Sequence, residues 1–301
     1  MTKTISKRPK THSDILWHFT GGPRWNKKQN NQSRKLKSTK NAFEALTKIL
    51  ESKTLKVGDY HEVIKCTVQD KTYNKETNKI DTQNNVIRTV STSPVCCVAD
   101  IPLTELFHHA KRYGKFAIGF KRNSLVKANF NPVFYTLHDT EIISNFYNAQ
   151  NALIQSECGI EDAISNIEDA ISGIECDHPC DNGNSWEPDE NYCSHDIDTG
   201  DLSSVAEEMS GYTQEALTDL KNTLAFIKTF GHDEFDTIYS EREWRSISSF
   251  NFKWSDVSAL ILPEKNGYYQ NFISKFKNKL QLLNKISIHR WEEINNKWKK
   301  D

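Results

Sequence analysis

The segment Ser240-Glu-Arg-Glu-Trp-Arg245 sets two carboxylates two positions apart. In an extended strand successive side chains alternate, so Glu241 and Glu243 share one face while Arg242 and Trp244 share the other. A carboxylate pair in a cleft can stabilise a cationic, oxocarbenium-like sugar transition state and take a proton from an incoming nucleophile. The same residues equally describe a sheet edge laced by ion pairs between Glu and Arg. Upstream, Leu16-Trp-His-Phe-Thr20 turns His18 and Thr20 to one face of a strand. An imidazole and a hydroxyl placed together can bind a ribose or a phosphate, or act as structural hydrogen-bonding groups. Arg112, Arg242 and Arg245 carry the planar fork that fits phosphate, and ion pairing with Glu241 or Glu243 competes for them.

Two other groupings have chemical potential. Cys176-Asp-His-Pro-Cys180 and Cys193-Ser-His195 bring soft ligands and imidazoles into one loop, a set zinc can use. Their spacing fits no finger or ribbon pattern, and exposed residues of a loop tip are the other reading, so no metal site is assigned. The Lys-rich residues 27–40 beside Trp25, with Arg290-Trp291 and Lys297-Trp298-Lys299-Lys300, combine cations with aromatic rings. That combination suits phosphate neutralisation and base stacking on a nucleic acid, and it equally suits solvated helix faces.

The elements that must position these residues are mixed. Residues 14–20 favour a strand that Gly21-Gly22-Pro23 must turn, and residues 27–40 read as a basic loop. Asn41 can cap a helix whose apolar positions Phe43, Leu46, Ile49 and Leu50 follow the helical period. Strands are expected at 62–68, 95–101, 116–120, 133–136, 237–245 and 257–262, with a helix at 103–113 and a polar loop or hairpin tip at 69–85. From residue 141 the period becomes helical. A seven-residue repeat, GIEDAIS then NIEDAIS then GIE, aligns Ile160, Ile164, Ile167, Ile171 and Ile174 on one stripe. Two heptads are too few for a free coiled coil, which predicts packing against a second helix at 214–230, with 176–204 as the intervening tip. The end of the chain, 271–298, reads as a basic helix or helix pair.

The whole chain, 301 residues with 37% hydrophobic and 26% charged residues, is globular in composition and large enough for a sizeable core. Its formal charge of -1 hides an asymmetry: residues 1–80 hold 18 Lys or Arg against 7 acids, while residues 128–220 hold 20 acids and no Lys or Arg. A basic half can attract phosphates, and an acidic block can repel them or cover the basic half; solvated faces that aid solubility explain the same pattern. Seven cysteines, with Cys96 and Cys97 inside an apolar run, point to reduced thiols rather than a disulfide framework. No stretch reaches the roughly 20 apolar residues of a membrane span, and the first residues lack a secretion signal, so a cytoplasmic protein with no membrane partner is expected.

Taken together, a strand bearing His-x-Thr, a following helix and a late strand bearing Glu-x-Glu resemble the ADP-ribosyltransferase superfamily. More closely, LWHFTGGP, VCCVADIPLTEL, RYGKFAIGFKRNSLVKANFNPVFYT, LAFIKTF, YSEREWRS and FNFKWSDVSALILP resemble the AbiGi-type abortive-infection proteins of phage defence. These motifs run in order over most of residues 14–263, leaving out the acidic repeat. The first resemblance implies NAD as substrate, with His18 and Thr20 on its ribose, Tyr135 or in reserve Tyr113 stacked on the nicotinamide, Arg112 among the cofactor contacts, Glu243 as catalytic carboxylate and Glu241 orienting an acceptor in nucleic acid or protein. The second implies, as an alternative, a non-catalytic antitoxin that binds a partner protein encoded nearby. The fold expected is α+β, a mixed, largely antiparallel sheet core resembling the ADP-ribosyltransferase fold. Its core would span 14–140 and 231–263, interrupted by an acidic helical hairpin at 141–230 and followed by a basic helical segment at 264–301.

Overall fold

The computed structural model describes residues 14–26, 28, 31–74, 77, 79–137, 140–172, 200–234, 241–279 and 285–298. The chain divides into two compact units, one built from 1–140 with 221–301 and the other from 141–220.

In the first unit the strands, in chain order, are β1 (Ile15–Phe19), β2 (Pro23–Asn26), β3 (Asn31–Leu36), β4 (Thr54–Leu55), β5 (Val63–Asn74), β6 (Lys79–Ser91), β7 (Cys96–Ala99), β8 (Ala117–Lys121), β9 (Asn131–Pro132), β10 (Phe134–Leu137), β11 (Ile227–Phe230), β12 (Glu243–Ser246), β13 (Phe250–Asn251), β14 (Val257–Leu262) and β15 (Ser287–Arg290). Seven of them form one sheet in the order β15-β14-β8-β1-β7-β12-β9. Every neighbouring pair is antiparallel except β14 with β15. The mixed, largely antiparallel α+β core is therefore present.

Both faces of this sheet are covered, which is why strands such as Val-Ser-Ala-Leu-Ile-Leu in β14 carry almost no polar residue. Alternation sorts the side chains. Leu16, Ile118 and Leu260 join one core cluster, with Leu46 and Leu50 of α1 (Thr39–Ser52). Trp17, Ala117 and Ile261 join another, with Leu106 and Ala110 of α2 (Leu106–Tyr113) and Trp291 of the helix Trp291–Trp298. The corner after β1 must be glycine: a Cβ on Gly21 would lie 2.9 Å from the Tyr113 carbonyl oxygen. That close approach lets the end of α2 pack on the end of β1.

Several expectations change. Residues 27–40 hold strand β3 and the start of α1 rather than one loop; Ser38, not Asn41, caps the helix, its hydroxyl accepting from the Asn41 amide at 3.3 Å. The polar residues 69–85 continue a long antiparallel ribbon of β5 and β6 rather than a loop. The ribbon belongs to no larger sheet, so its polarity reflects solvent on its surface, and even Ile87 is 70% exposed. The last segment is not wholly helical, because β15 adds a parallel strand to the main sheet. The expected helix 214–230 ends at Leu224, and Ile227–Phe230 forms β11, paired in parallel with β10.

The second unit contains α4 (Glu141–Ser172) and most of α5 (Gly200–Leu224), with the short α3 (Arg122–Lys127) lying in the first unit. The Gln214 side-chain amide donates to Glu157, tying α5 to α4. The repeat falls within α4, but its stripe is only partly covered: Ile160 and Ile164 are half-buried and Ile167 is 41% exposed. Ile174 and the Cys/His loop at 176–195 lie outside the described residues. Among the described residues no helix is long and apolar enough to cross a membrane.

Candidate functional site

The ladder between β1 and β7 consists of one bridge, Trp17 to Ala99. Beyond it the two strands part, and a cavity of about 280 Å³ opens there. His18 spans the gap. Its Nδ1 lies 2.9 Å from the Cys97 carbonyl oxygen, and because a carbonyl only accepts, Nδ1 carries the proton and Nε2 keeps a lone pair. Burial pulls the His18 pKa down from 6.5 to about 4, partly offset by the bond to Cys97, so the ring is neutral at pH 7.

Strand β12 carries Glu243 to the same cavity, and the turn just before it carries Glu241 there. Arg242, just before it, has a φ of 44° and gives its carbonyl to the Asp100 amide at 2.9 Å, a kink that precedes the regular ladder. From Glu243 onward the pairing with β7 is regular, Glu243 opposite Ala99 and Arg245 opposite Cys97. Glu241, Glu243 and Arg245 are all buried, at 3%, 8% and 0% exposure. Residues 237–240 of the expected strand lie outside the described ones.

Neither carboxylate is unengaged. Arg245 grips Glu243 with two donors, Nε to Oε1 and Nη2 to Oε2, both at 3.1 Å. Lys228 of β11 donates to Glu243 at 3.1 Å and to Glu241 at 2.6 Å. Tyr113 adds its hydroxyl to Glu241 at 3.0 Å, and Arg112 reaches the same oxygen at 2.8 Å. Behind them Arg245 also meets Glu62 at 2.5 Å and the carbonyls of Ala225 and Ile227. Burial by itself would raise the Glu243 carboxyl, but Arg245 and then Lys228 outweigh it and hold the group well below the usual carboxylate range. Burial likewise opposes the charge on Lys228, and Glu243, Tyr60 and Glu241 override it, keeping the amine firmly protonated.

The structure thus brings His18, Tyr113, Glu241 and Glu243 to one cavity and leaves three expected residues outside its wall. Thr20 is 1% exposed and its hydroxyl donates to the Ala42 carbonyl at 2.8 Å, a tie between β1 and α1 rather than a ligand contact. Tyr135 receives the Glu243 amide at 2.8 Å and lines a separate pocket with Asp100, Arg122 and Arg242. Arg112 acts through Glu241 at the margin. The phosphate reading of Arg242 and Arg245 gives way to ion pairs, with Asp100 at 3.3 Å for Arg242 and with Glu243 and Glu62 for Arg245.

Sequence reasoning missed Lys228, Tyr60, Cys97 and His109, all in the cavity wall. His109 stacks on Tyr113 with ring centroids 4.4 Å apart and meets Phe19 at 4.8 Å, forming an aromatic side. Burial drops its pKa from 6.5 to about 3, so it too is neutral. The Cys97 thiol bonds to Glu243, and burial followed by that carboxylate's charge pushes its pKa far up, which makes it a donor and not a nucleophile. A lone lysine in the apolar run Leu-Ala-Phe-Ile-Lys-Thr-Phe was the one available signal for Lys228. Among the described residues no group of three or more His, Cys, Asp and Glu could hold a metal.

No curated protein and no solved structure matches the chain. Residues 61–287 match the family described as "Putative abortive phage resistance protein AbiGi, antitoxin", a span that takes in β12 and the strand bearing Lys228. The chain belongs to the AbiGi family.

Proposed function

We propose that the chain serves abortive phage resistance as an antitoxin, a protein that binds and neutralises a partner toxin. The family description carries this reading. The geometry of the cavity supports it, since every carboxylate there is already engaged by Arg245, Lys228, Arg112 or Tyr113, an arrangement suited to holding a surface rigid. The acidic helical unit offers a binding surface for a cationic partner. In bacteria expressing the toxin encoded beside it, Glu243→Gln is expected to keep protection, while charge reversal at Glu161 and Asp162 of α4 abolishes it. Loss of protection with Glu243→Gln at unchanged thermal stability, together with full protection by the α4 variant, would overturn the reading.

One observation favours a second reading, NAD-dependent ADP-ribosyl transfer: His18, Tyr113, Glu241 and Glu243 line one cavity although they are distant in sequence. In that reaction the bond between ribose and nicotinamide breaks, nicotinamide leaves with the bonding electrons, and a nucleophile on nucleic acid or protein joins the ribose as it loses a proton. His18 Nε2 would accept a ribose hydroxyl and Glu243 would face the developing cation, after shifting off Arg245. Label from NAD transferred to RNA or protein by the wild type and not by Glu243→Gln supports it; no transfer to either acceptor rules it out.

A further inference from the structure

We infer that α5 presents a docking face, the row Val205, Met209 and Tyr212, for a cationic amphipathic helix of the partner protein. The inference rests on the antitoxin reading, for which it names the face and the chemistry of the partner.

The side chains that α5 turns outward are its first support. Val205, Met209 and Tyr212 stand at i, i+4 and i+7, so they share one side of the helix, at 52%, 47% and 63% exposure. One residue along, Ala206, Ser210 and Thr213 form a second row about a quarter turn away. This second row, continued by Leu217, is the covered one: Thr213 and Leu217 are buried, Ala206 and Ser210 half-buried. Gln214, on the far side of it, donates to Glu157 of α4, which places α4 there. The helix thus covers alanine, serine and threonine while larger apolar side chains face water. Packing within the unit alone predicts the reverse.

Charge is the second support, and it chooses the occupant. Glu208 and Glu215, both exposed, run along the edge of the apolar row that lies away from the covered one. The Tyr212 hydroxyl donates to Glu208 at 2.8 Å, which sets the carboxylate beside the ring and leaves its charge in place. Residues 128–220 hold 20 acids and no Lys or Arg, so no Lys or Arg of the helical unit itself can meet this edge. The same unit of a second copy would set acid against acid, which costs affinity. An incoming helix with an apolar stripe bordered by Lys or Arg answers both features. Its stripe removes Val205, Met209 and Tyr212 from water, and its cations meet Glu208 and Glu215. Methionine adapts to the incoming shape through its thioether, and the tyrosine ring adds apolar area with a polar tip.

The full-length protein is titrated by calorimetry with three synthetic peptides, each about five helical turns long. The first, of Leu and Lys, carries its leucines on one side; the second has Glu in place of Lys; the third keeps Leu and Lys but spreads the leucines around the helix. The first is expected to bind, less tightly as salt rises, and the other two at least about tenfold more weakly. Met209→Gln with Tyr212→Gln, and separately Glu208→Lys with Glu215→Lys, should each weaken it about tenfold or more. Thermal unfolding should stay unchanged in both, because all the replaced side chains are exposed. Equal binding of either control peptide, unchanged affinity in either double variant, or no binding of the first peptide at millimolar concentration would overturn the inference. An oligomer of the wild type that Met209→Gln with Tyr212→Gln dissociates in sedimentation would give the face to a second copy and overturn it too. Protection is read separately, in bacteria expressing the toxin encoded beside the chain. Protection kept by both α5 variants and lost on charge reversal at Glu161 and Asp162 sinks this face and leaves the antitoxin reading. Selective peptide binding through α5, with no protection by the wild type, sinks that reading and leaves the face.

Discussion

In the sheet unit Glu62, Glu241 and Glu243 are each within ion-pairing distance of Arg245, Lys228 or Arg112, whereas the helical unit, residues 141–220, holds acids and no Lys or Arg. Burial explains the contrast. A carboxylate taken out of water needs a partner nearby or it takes up a proton. A carboxylate on an exposed helix is hydrated, and its charge remains available to a cationic molecule arriving from solution. The helical unit also leaves Val205, Met209 and Tyr212 exposed at 52%, 47% and 63%, spaced as one side of α5. One unit buries its carboxylates against cations, and the other, which has no Lys or Arg of its own, exposes carboxylates beside apolar side chains.

This contrast can be broken at its strongest point first. Arg245→Met leaves buried Glu243 to Lys228 alone and partly buried Glu62 to the Tyr60 hydroxyl, and should lower unfolding free energy by about 3–5 kcal/mol, read from urea denaturation. A loss below about 1 kcal/mol would mean the network is not compensating buried charge. Lys228→Met comes next, at about 2–4 kcal/mol, because Arg245 and Arg112 still serve one carboxylate each.

Acid sensitivity sharpens the comparison further. Glu243 is held below the ordinary carboxylate range, so its stabilisation is present above the unfolded pKa of about 4.3 and is lost as pH falls from there. The unfolded chain protonates His18 near 6.5 whereas the folded chain resists until about 4, so stability also falls as pH drops through that window. Stability against pH should therefore decline from pH 6.5 downward, and His18→Gln should reduce the slope between 6.5 and 4, leaving the share that buried His109 contributes over the same window. An unchanged slope in that variant would show that the imidazole is not desolvated. The smallest effect belongs to the helical unit: Glu207→Lys with Glu208→Lys, both exposed, should shift unfolding by no more than about 0.5 kcal/mol. Their effect should appear in partner binding instead.

The sequence exposed the carboxylates and hid what neutralises them. Strand alternation held from Glu243 to Arg245, which share a face as the spacing implies, whereas Glu241 lies before the strand and reaches the cavity through the kink at Arg242. The choice between a free pair and an ion-paired one turned on Lys228, and the helical spacing of Leu217, Leu220, Leu224 and Ile227 drew that lysine into a helix. A four-residue strand following a helix without a break in apolar character has too short a pattern to announce itself. The far half of the ribbon of β5 and β6 was hidden for the opposite reason: residues 62–68, where Ile64, Cys66 and Val68 are buried, read as a strand, whereas residues 82–85 of β6 are exposed and show no apolar alternation. His18 was legible as a residue type on a strand, but its place depends on the single bridge between β1 and β7, a long-range feature no local pattern encodes.

The parallel pairing of β10 and β11 has a further consequence. Two parallel neighbours cannot be joined by a tight turn, because the chain must return to the starting end of the first strand before it enters the second. Residues 138–226 make that return, so the helical unit is the crossover itself and not an ornament on a closed loop. Replacing it with a short linker would have to leave slack for the return journey. A linker cut too tight would drag Ile227–Phe230 along its neighbour and pull the amine of Lys228 off the two acids it bridges.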